Sequence, residues 1–466
     1  IRDGVESRGL GDVYKRQILY TIIVRVYREQ NEEINMLIQF NFKNFKSFRD
    51  EVSLDLSATK ITEHEDHVVD IANDKLLKVA AIYGANASGK SNVYDAFDYM
   101  TYYVAESFKF GDEDENRRKK EADYMKVTPF LFDDNSCNEE TTFEVFYVDN
   151  SENTGKIYQY GFSLKADEVV EEWLYSKAKT ARNNYRTVFY RKKGEELEMN
   201  GFSKSHVENI KASLNKEALI VSLGAKLRVA KLKKVRDWFL NNDIIDFGDP
   251  AENFFRSRVL PDGFIDSKEV QENVVKYFAS FDEAIQDFEV EELPPEDEKD
   301  TSKSYTIDAL HRKVGSQEMA SIPLKQESSG TLKMFALYPS LKDVLDNGGT
   351  LFVDELNARL HPLLVRNIIL TFLSPEINTQ NAQLVFTTHD IWQFSNELLR
   401  RDEIWMVNKN RDGVSELYSL AEFKDEDGNK VRRDEALAKN YLTGNYGAIP
   451  ALKPMKMLTG RAADGE

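Results

Sequence analysis

The residues best placed to do chemistry are Gly84-Ala-Asn-Ala-Ser-Gly89-Lys90-Ser91, which match a phosphate-binding loop at every defined position. Glycines there let backbone amides turn inward around phosphate oxygens, and a following helix N-terminus adds favourable partial charge. Gly84, Ala85, Asn86, Ala87, Ser88, Gly89 and the flanking Asn92 form the cradle. Lys90 is placed to reach the β- and γ-phosphates, and the Ser91 hydroxyl to ligate Mg²⁺. The apolar run Lys78–Tyr83 before the loop reads as a buried strand, and the segment from Asn92 reads as a helix. A glycine turn that binds nothing is the plainer alternative. The complete motif in its strand–loop–helix context favours a nucleoside triphosphate.

Three later segments could complete such a site. Gly349–Val353 is an apolar strand ending in Asp354 and Glu355. A carboxylate at a strand tip can hold the Mg²⁺ shell, which suits Asp354, and Glu355 can orient or deprotonate an attacking water. Gln383–Thr388 is a second apolar strand, ending at His389, whose ring could contact the γ-phosphate or be an ordinary surface histidine. Upstream, Ser328, Ser329 and Gly330 open a helix from Leu332, either as a simple N-cap or as a second anion cradle. Some 237 residues lie between Lys90 and Ser328, 25 between Ser328 and Asp354, and 34 between Asp354 and His389.

Around these motifs the chain alternates in character. Leu37–Phe42, Val52–Leu56, Thr141–Val148, Ile157–Leu164, Val169–Ser176 and Val188–Arg191 carry strand periodicity. From Lys204 to about Leu240, and again over Lys268–Phe281, the periodicity is helical. The acidic run Glu289–Lys303, with its two prolines, and the charged stretch Gly111–Glu121 read as excursions. The domains expected are an extension over 1–35, an N-terminal ATPase part over 36–203, an inserted helical lobe over 204–320, a C-terminal ATPase part over 321–450 and a tail over 451–466.

Bulk composition narrows the classes. A 466-residue chain with 41% hydrophobic and 30% charged residues fits a globular protein of more than one lobe. The single Cys137 excludes an intrachain disulfide framework and fits a reducing cytoplasm. No run reaches the roughly 18–20 apolar residues of a membrane helix, so no membrane role is expected. A net charge of −18 argues against whole-molecule attraction to nucleic acid. The basic run Arg228, Lys231, Lys233, Lys234 and Arg236 could bind DNA locally, but interleaved Leu232 and Val235 read more simply as a solvated helix. Residue 1 is isoleucine, and Asp12-Val-Tyr-Lys-Arg-Gln17 looks like a translated sequencing adapter. Residues 1–17 are therefore expected to be an artefact, 18–35 read-through, and Met36 the natural start.

The order and spacing of the motifs resemble the ABC-type ATPase head. That resemblance implies an α/β P-loop NTPase with a mixed-sheet core and an inserted, mainly helical lobe. It also implies a homodimer with ATP and Mg²⁺ between two heads. Ser328, Ser329 and Gly330 would be the signature contacts made in trans, Glu355 the catalytic base, His389 the switch histidine, and Ser91 with Asp354 the metal ligands. Leu360-His361-Pro362 departs from transporters, which usually carry aspartate at the histidine, and is typical of the RecF/SMC/OLD-related group. Phe42-Lys-Asn-Phe-Lys-Ser-Phe48, Glu327-Ser-Ser-Gly-Thr331, Asp354–Pro362, Thr387-Thr-His-Asp390 and Tyr441-Leu-Thr-Gly-Asn-Tyr-Gly-Ala-Ile-Pro450 look together like the RloA/AbiL-type bacterial ATPases. Members of that group are associated with phage defence or abortive infection, often beside a separate nuclease-like effector. Rival expectations are a RecF-like DNA-repair ATPase and an OLD-type ATPase–nuclease. Only 77 residues follow His389 to house a nuclease. The glutamine loop of the class is not assigned, Gln159 being a weak substitute.

Overall fold

A computed structural model describes residues 35–450, apart from 72–73, 111–125, 150–154, 167, 183, 257–258, 282 and 294–303. Residues 1–34 of the expected extension over 1–35, the charged stretch Gly111–Glu121 and the tail 451–466 lie outside the described residues.

The middle layer is a six-stranded sheet in the order Asp243–Asp246, Thr350–Asp354, Gln383–Thr388, Val79–Gly84, Ile404–Lys409 and Ser415–Ser419. Neighbours among the first five run parallel, and the last pairs antiparallel, so the sheet is mixed. Its parallel strands are near-continuous apolar runs because helices and a second sheet cover both faces. Alternation along the P-loop strand distributes side chains between two cores. Ala80 and Ile82 pack with Phe97, Phe143 and Trp238, whereas Val79, Ala81 and Tyr83 pack with Phe335, Val365 and Phe386.

Over the first core lies a seven-stranded antiparallel sheet in the order Glu198–Met199, Arg186–Lys192, Glu168–Ala178, Lys156–Lys165, Thr141–Asp149, Asn35–Lys43 and Val52–Asp55. The P-loop helix Lys90–Glu106 is sandwiched there, with Phe97 edge-on to Phe40 at 5.2 Å between centroids. Phe42, Phe45 and Phe48 are all buried, and the Phe42 and Phe48 rings meet edge-on at 5.0 Å. The aromatic spacing of that motif therefore fixes a loop by packing. On the opposite face lie the helices Lys268–Ala279, Ser329–Asn347 and Pro362–Leu373.

The expected inserted lobe begins with three helices, Lys204–Ser213, Ile220–Lys226 and Ala230–Leu240. It differs from a purely helical excursion in two places. Asp243–Asp246 is the edge strand of the parallel sheet, and Ile285–Leu293, Ser304–Arg312 and Met319–Pro323 form a separate antiparallel sheet. The reading of Glu289–Lys303 as a flexible excursion is corrected for its first five residues. Glu289–Leu293 pairs with Ser304–Asp308, so ladder hydrogen bonds and cross-strand contacts outweigh the acidic composition. The remaining positions of that run, 294–303, lie outside the described residues.

Of the basic run, Lys231, Lys233 and Lys234 are on the solvent side of the helix Ala230–Leu240, whose Leu232, Val235, Trp238 and Phe239 are buried; Arg236 is half-buried on that helix and exposed Arg228 precedes it. Lys233 pairs with Asp237, Lys231 donates to the Gly201 carbonyl, and Arg236 to that of Ala105. Gln159 sits in the antiparallel sheet and donates to Glu144.

Candidate functional site

The P-loop is assembled at the carboxyl end of its strand. Gly89 is the N-cap of the helix Lys90–Glu106 at φ 113°, and no side chain caps that helix end. The first-turn amides thus face the loop's concavity without a competing cap. A Cβ on Gly89 would lie 2.6 Å from Ser415 Oγ and 2.7 Å from Ser47 Oγ. A Cβ on Gly84 would lie 2.4 Å from the Val407 carbonyl. Ser47 Oγ accepts from Asn92 Nδ2 at 2.6 Å, and Ser415 Oγ donates to the Ser88 carbonyl at 2.6 Å. The aromatic-anchored loop therefore braces the P-loop from behind.

Buried Lys90 donates to the Gly84 and Ala85 carbonyls at 3.0 and 3.1 Å. Burial lowers its pKa, opposed by the carboxylates of Asp354 and Glu355. Asn86, Ala87 and Ser91 are exposed, Ala87 at φ 61°, and Ser88 Oγ is buried with no hydrogen-bond partner.

Sheet register brings the other pieces alongside. Val353 is paired with Phe386, and Thr388 with Tyr83, so Asp354, His389 and the P-loop emerge at one edge. Such an edge is where open α/β sheets bind ligands. Asp354 accepts from Thr387 Oγ1, and burial raises its pKa against the opposing influence of the Thr387 and Ser91 hydroxyls. Glu355 occupies the left-handed region at φ 50°, its N–H donating to Thr387 Oγ1 at 2.9 Å. That conformation costs a non-glycine residue about 1–2 kcal/mol and swings the carboxylate away from the strand. His389 is exposed, with Asn357 Nδ2 3.4 Å from its Nε2, and Asn357 Oδ1 accepts from Thr388 at 2.7 Å.

Two ionisable residues at this edge were missed by sequence reasoning. Asp246 pairs in register with Asp354, and its pKa is pushed up to about 7 by burial and then by Asp354 and Glu252. Lys333 donates to the carbonyls of Ala358 and Phe247, and its pKa is pushed down to about 7 by burial and then by Arg359. Crowded carboxylates with raised affinities for protons are a fitting donor set for a hard cation such as Mg²⁺.

Ser328 caps the helix Ser329–Asn347, its Oγ accepting from Thr331 N at 3.1 Å. The ordinary cap is therefore real. Ser328 and Ser329 are nevertheless exposed, and Gly330 sits with the Arg359 carbonyl 3.5 Å from where a Cβ would stand. His361 caps the helix Pro362–Leu373 through Leu363 N at 3.2 Å.

A mixed α/β sheet with a P-loop, an acidic strand tip, a histidine strand and a serine-capped helix in this order defines an ABC-type P-loop ATPase. More particularly, the chain belongs to the family described as "AAA domain, putative AbiEii toxin, Type IV TA system", whose model matches residues 79–391. No curated protein matches the chain. Among solved structures, an SMC head bound to the C-winged helix domain of ScpA is 15% identical, at TM-score 0.39, covering 82% of this chain and 97% of that one. The SMC head domain from Thermotoga maritima is 15% identical at TM-score 0.36, with 82% and 98% covered. The recombination mediator protein RecF-ATP of the RecFOR pathway is 14% identical at TM-score 0.31, with 83% and 98% covered. These are loose likenesses.

Proposed function

We propose that the protein binds ATP with Mg²⁺, hydrolyses it, and closes head to head with a second copy while ATP is bound. The observation that carries this reading is the sheet register that sets the strand tips at Asp354 and His389 beside the P-loop strand. It brings the P-loop together with motifs more than 260 residues away in the chain, as one metal-phosphate site requires. In this reading the P-loop amides and Lys90 hold the β- and γ-phosphates, and Ser91 with Asp354 holds the cation. Bound Mg²⁺ would offset charge on the phosphate oxygens. Glu355 orients and deprotonates the water, and His389, steadied by Asn357, contacts the γ-phosphate. Exposed Ser328 and Ser329, with half-buried Gly330, reach the triphosphate held by the other copy, so that the γ-phosphate acts as a removable ligand of the closed dimer.

The family description names a toxin of a type IV toxin–antitoxin system. Together with the RloA/AbiL-like motifs, it supports a cytoplasmic regulatory ATPase of an antiphage, abortive-infection system with a separate effector. Among the described residues, no helix is long and apolar enough to cross a membrane. The test is ATP turnover and light scattering of the purified protein beside Lys90→Ala, with and without DNA. Turnover and an ATP-dependent mass doubling, both absent from the variant and both indifferent to DNA, are expected. Turnover equal in the two proteins overturns the assignment, and strong stimulation by DNA favours the RecF-like alternative.

A further inference from the structure

The sequence His64-Glu-Asp66-His67 lies away from the phosphate site, on the turn that enters the hairpin Val68–Ile71 and Asp74–Leu77. One ligand atom from each of His64, Asp66 and His67 lies within 4.8 Å of the other two. The two imidazoles are stacked, with centroids 4.7 Å apart. Each ring is anchored by one nitrogen only. His64 Nε2 meets the Asn396 carbonyl at 2.8 Å, and His67 Nδ1 meets the Glu403 carboxylate at 3.0 and 3.1 Å.

A carbonyl oxygen can only accept, so His64 Nε2 carries the proton and Nδ1 presents its lone pair. With Glu403 as a carboxylate, His67 likewise presents Nε2. Among the described residues, neither of those two nitrogens has a hydrogen-bond partner. A ring whose far nitrogen donates to a carboxylate or backbone carbonyl is the usual arrangement behind a metal-binding histidine. Glu403 is fully buried and also accepts from Arg400 N at 2.7 Å, which fixes its orientation. Lys78 donates its ammonium to the carbonyls of Asp66 and Leu373. His64 itself sits in the left-handed region at φ 49°, ψ 59°, a conformation that persists only where the surroundings hold it.

We propose that His64, Asp66 and His67 bind a divalent transition-metal ion of the Zn²⁺ class. Two imidazole nitrogens and one carboxylate oxygen suit such an ion, with water completing a tetrahedron. Both anchoring groups, Asn396 and Glu403, lie on the segment running from His389 to the strand Ile404–Lys409. The ion would brace that segment against the hairpin.

The probe is Co²⁺, titrated into the metal-stripped full chain with excess Mg²⁺ present to occupy oxygen-only sites. We expect one Co²⁺ per chain, visible absorption of nitrogen–oxygen coordination without a thiolate band, and an upward shift of Tm with Co²⁺ or Zn²⁺. His64→Gln and Asp66→Asn, on accessible side chains, should each weaken Co²⁺ at least about tenfold and remove the Tm shift. Both variants should keep the far-ultraviolet circular dichroism of the parent. No Co²⁺ bound by the parent, or equal affinity in parent and variants, overturns the proposal.

Discussion

Replacing Asp246 by Asn should make the nucleotide-free protein more stable above neutral pH. The carboxyl stands beside Asp354 in the sheet register, and burial, Asp354 and Glu252 lift its pKa from 3.8 to about 7. A rise of about three units, at roughly 1.4 kcal/mol each, corresponds to about 4 kcal/mol against the ionised form. The group is half-buried, so solvent screening reduces this to about 1–2 kcal/mol. The folded protein holds this proton more tightly than the unfolded chain. Stability from the group is therefore complete below about pH 3.8, declines as pH rises and has gone once pH passes about 7. Asn keeps the Oδ1 that accepts from Gly248 N at 2.7 Å and Asp249 N at 3.0 Å, but carries no charge. Urea unfolding of both proteins at about pH 5 and about pH 8.5 measures the difference. The variant should gain about 1–2 kcal/mol over the parent at the higher pH, and distinctly less at the lower. Equal pH slopes, or a variant less stable at about pH 8.5, would refute the reasoning.

Further outcomes follow from the site. Glu355→Gln should retain ATP binding, lower turnover about 10²-fold or more, and leave an ATP-dependent dimer that persists in light scattering. Wild-type turnover in that variant removes Glu355 from the role of base. Ser328→Arg should bind ATP as the parent does yet stay monomeric with it. A dimer formed by the variant at parental nucleotide concentrations argues against the contact in trans. Gly89→Ala meets two hydroxyls under 3 Å at a left-handed φ, and should cost about 1–3 kcal/mol of stability with loss of nucleotide binding. Calorimetric titration with parental affinity would contradict the picture of a tight backbone cradle.

The P-loop, the strand ending in Asp354 and the strand ending in His389 were legible because each is a local pattern. An apolar run long enough to be a buried strand is followed directly by the polar residues of the candidate site. The paired strands Thr141–Asp149 and Lys156–Lys165 were legible for the same reason, being adjacent in sequence and alternating. Asp243–Asp246 was not. Its four residues carry too little periodicity, and its partner strand begins more than a hundred residues later. What makes Asp246 part of the site is register alone, a non-local property. Lys333 reads as surface charge on an amphipathic helix, and only tertiary packing turns its ammonium onto the Phe247 and Ala358 carbonyls. Ser47 of the Phe42–Phe48 motif braces Asn92, 45 residues on, and Ser415, 368 residues on, a juxtaposition that no local pattern carries.

The edge strand Asp243–Asp246 has a mechanical meaning. It is the point at which the region between Lys204 and Pro323 stops being an ornament and becomes part of the machine's frame. Phe247 N, the next residue, donates to the Asp354 carbonyl at 3.0 Å. A tug on the helices before it or the ribbon after it would travel through four ladder-bonded residues straight into the acidic tip of its neighbour. A molecule that grips that region would pull on a strand ladder-bonded to the one that ends at Asp354.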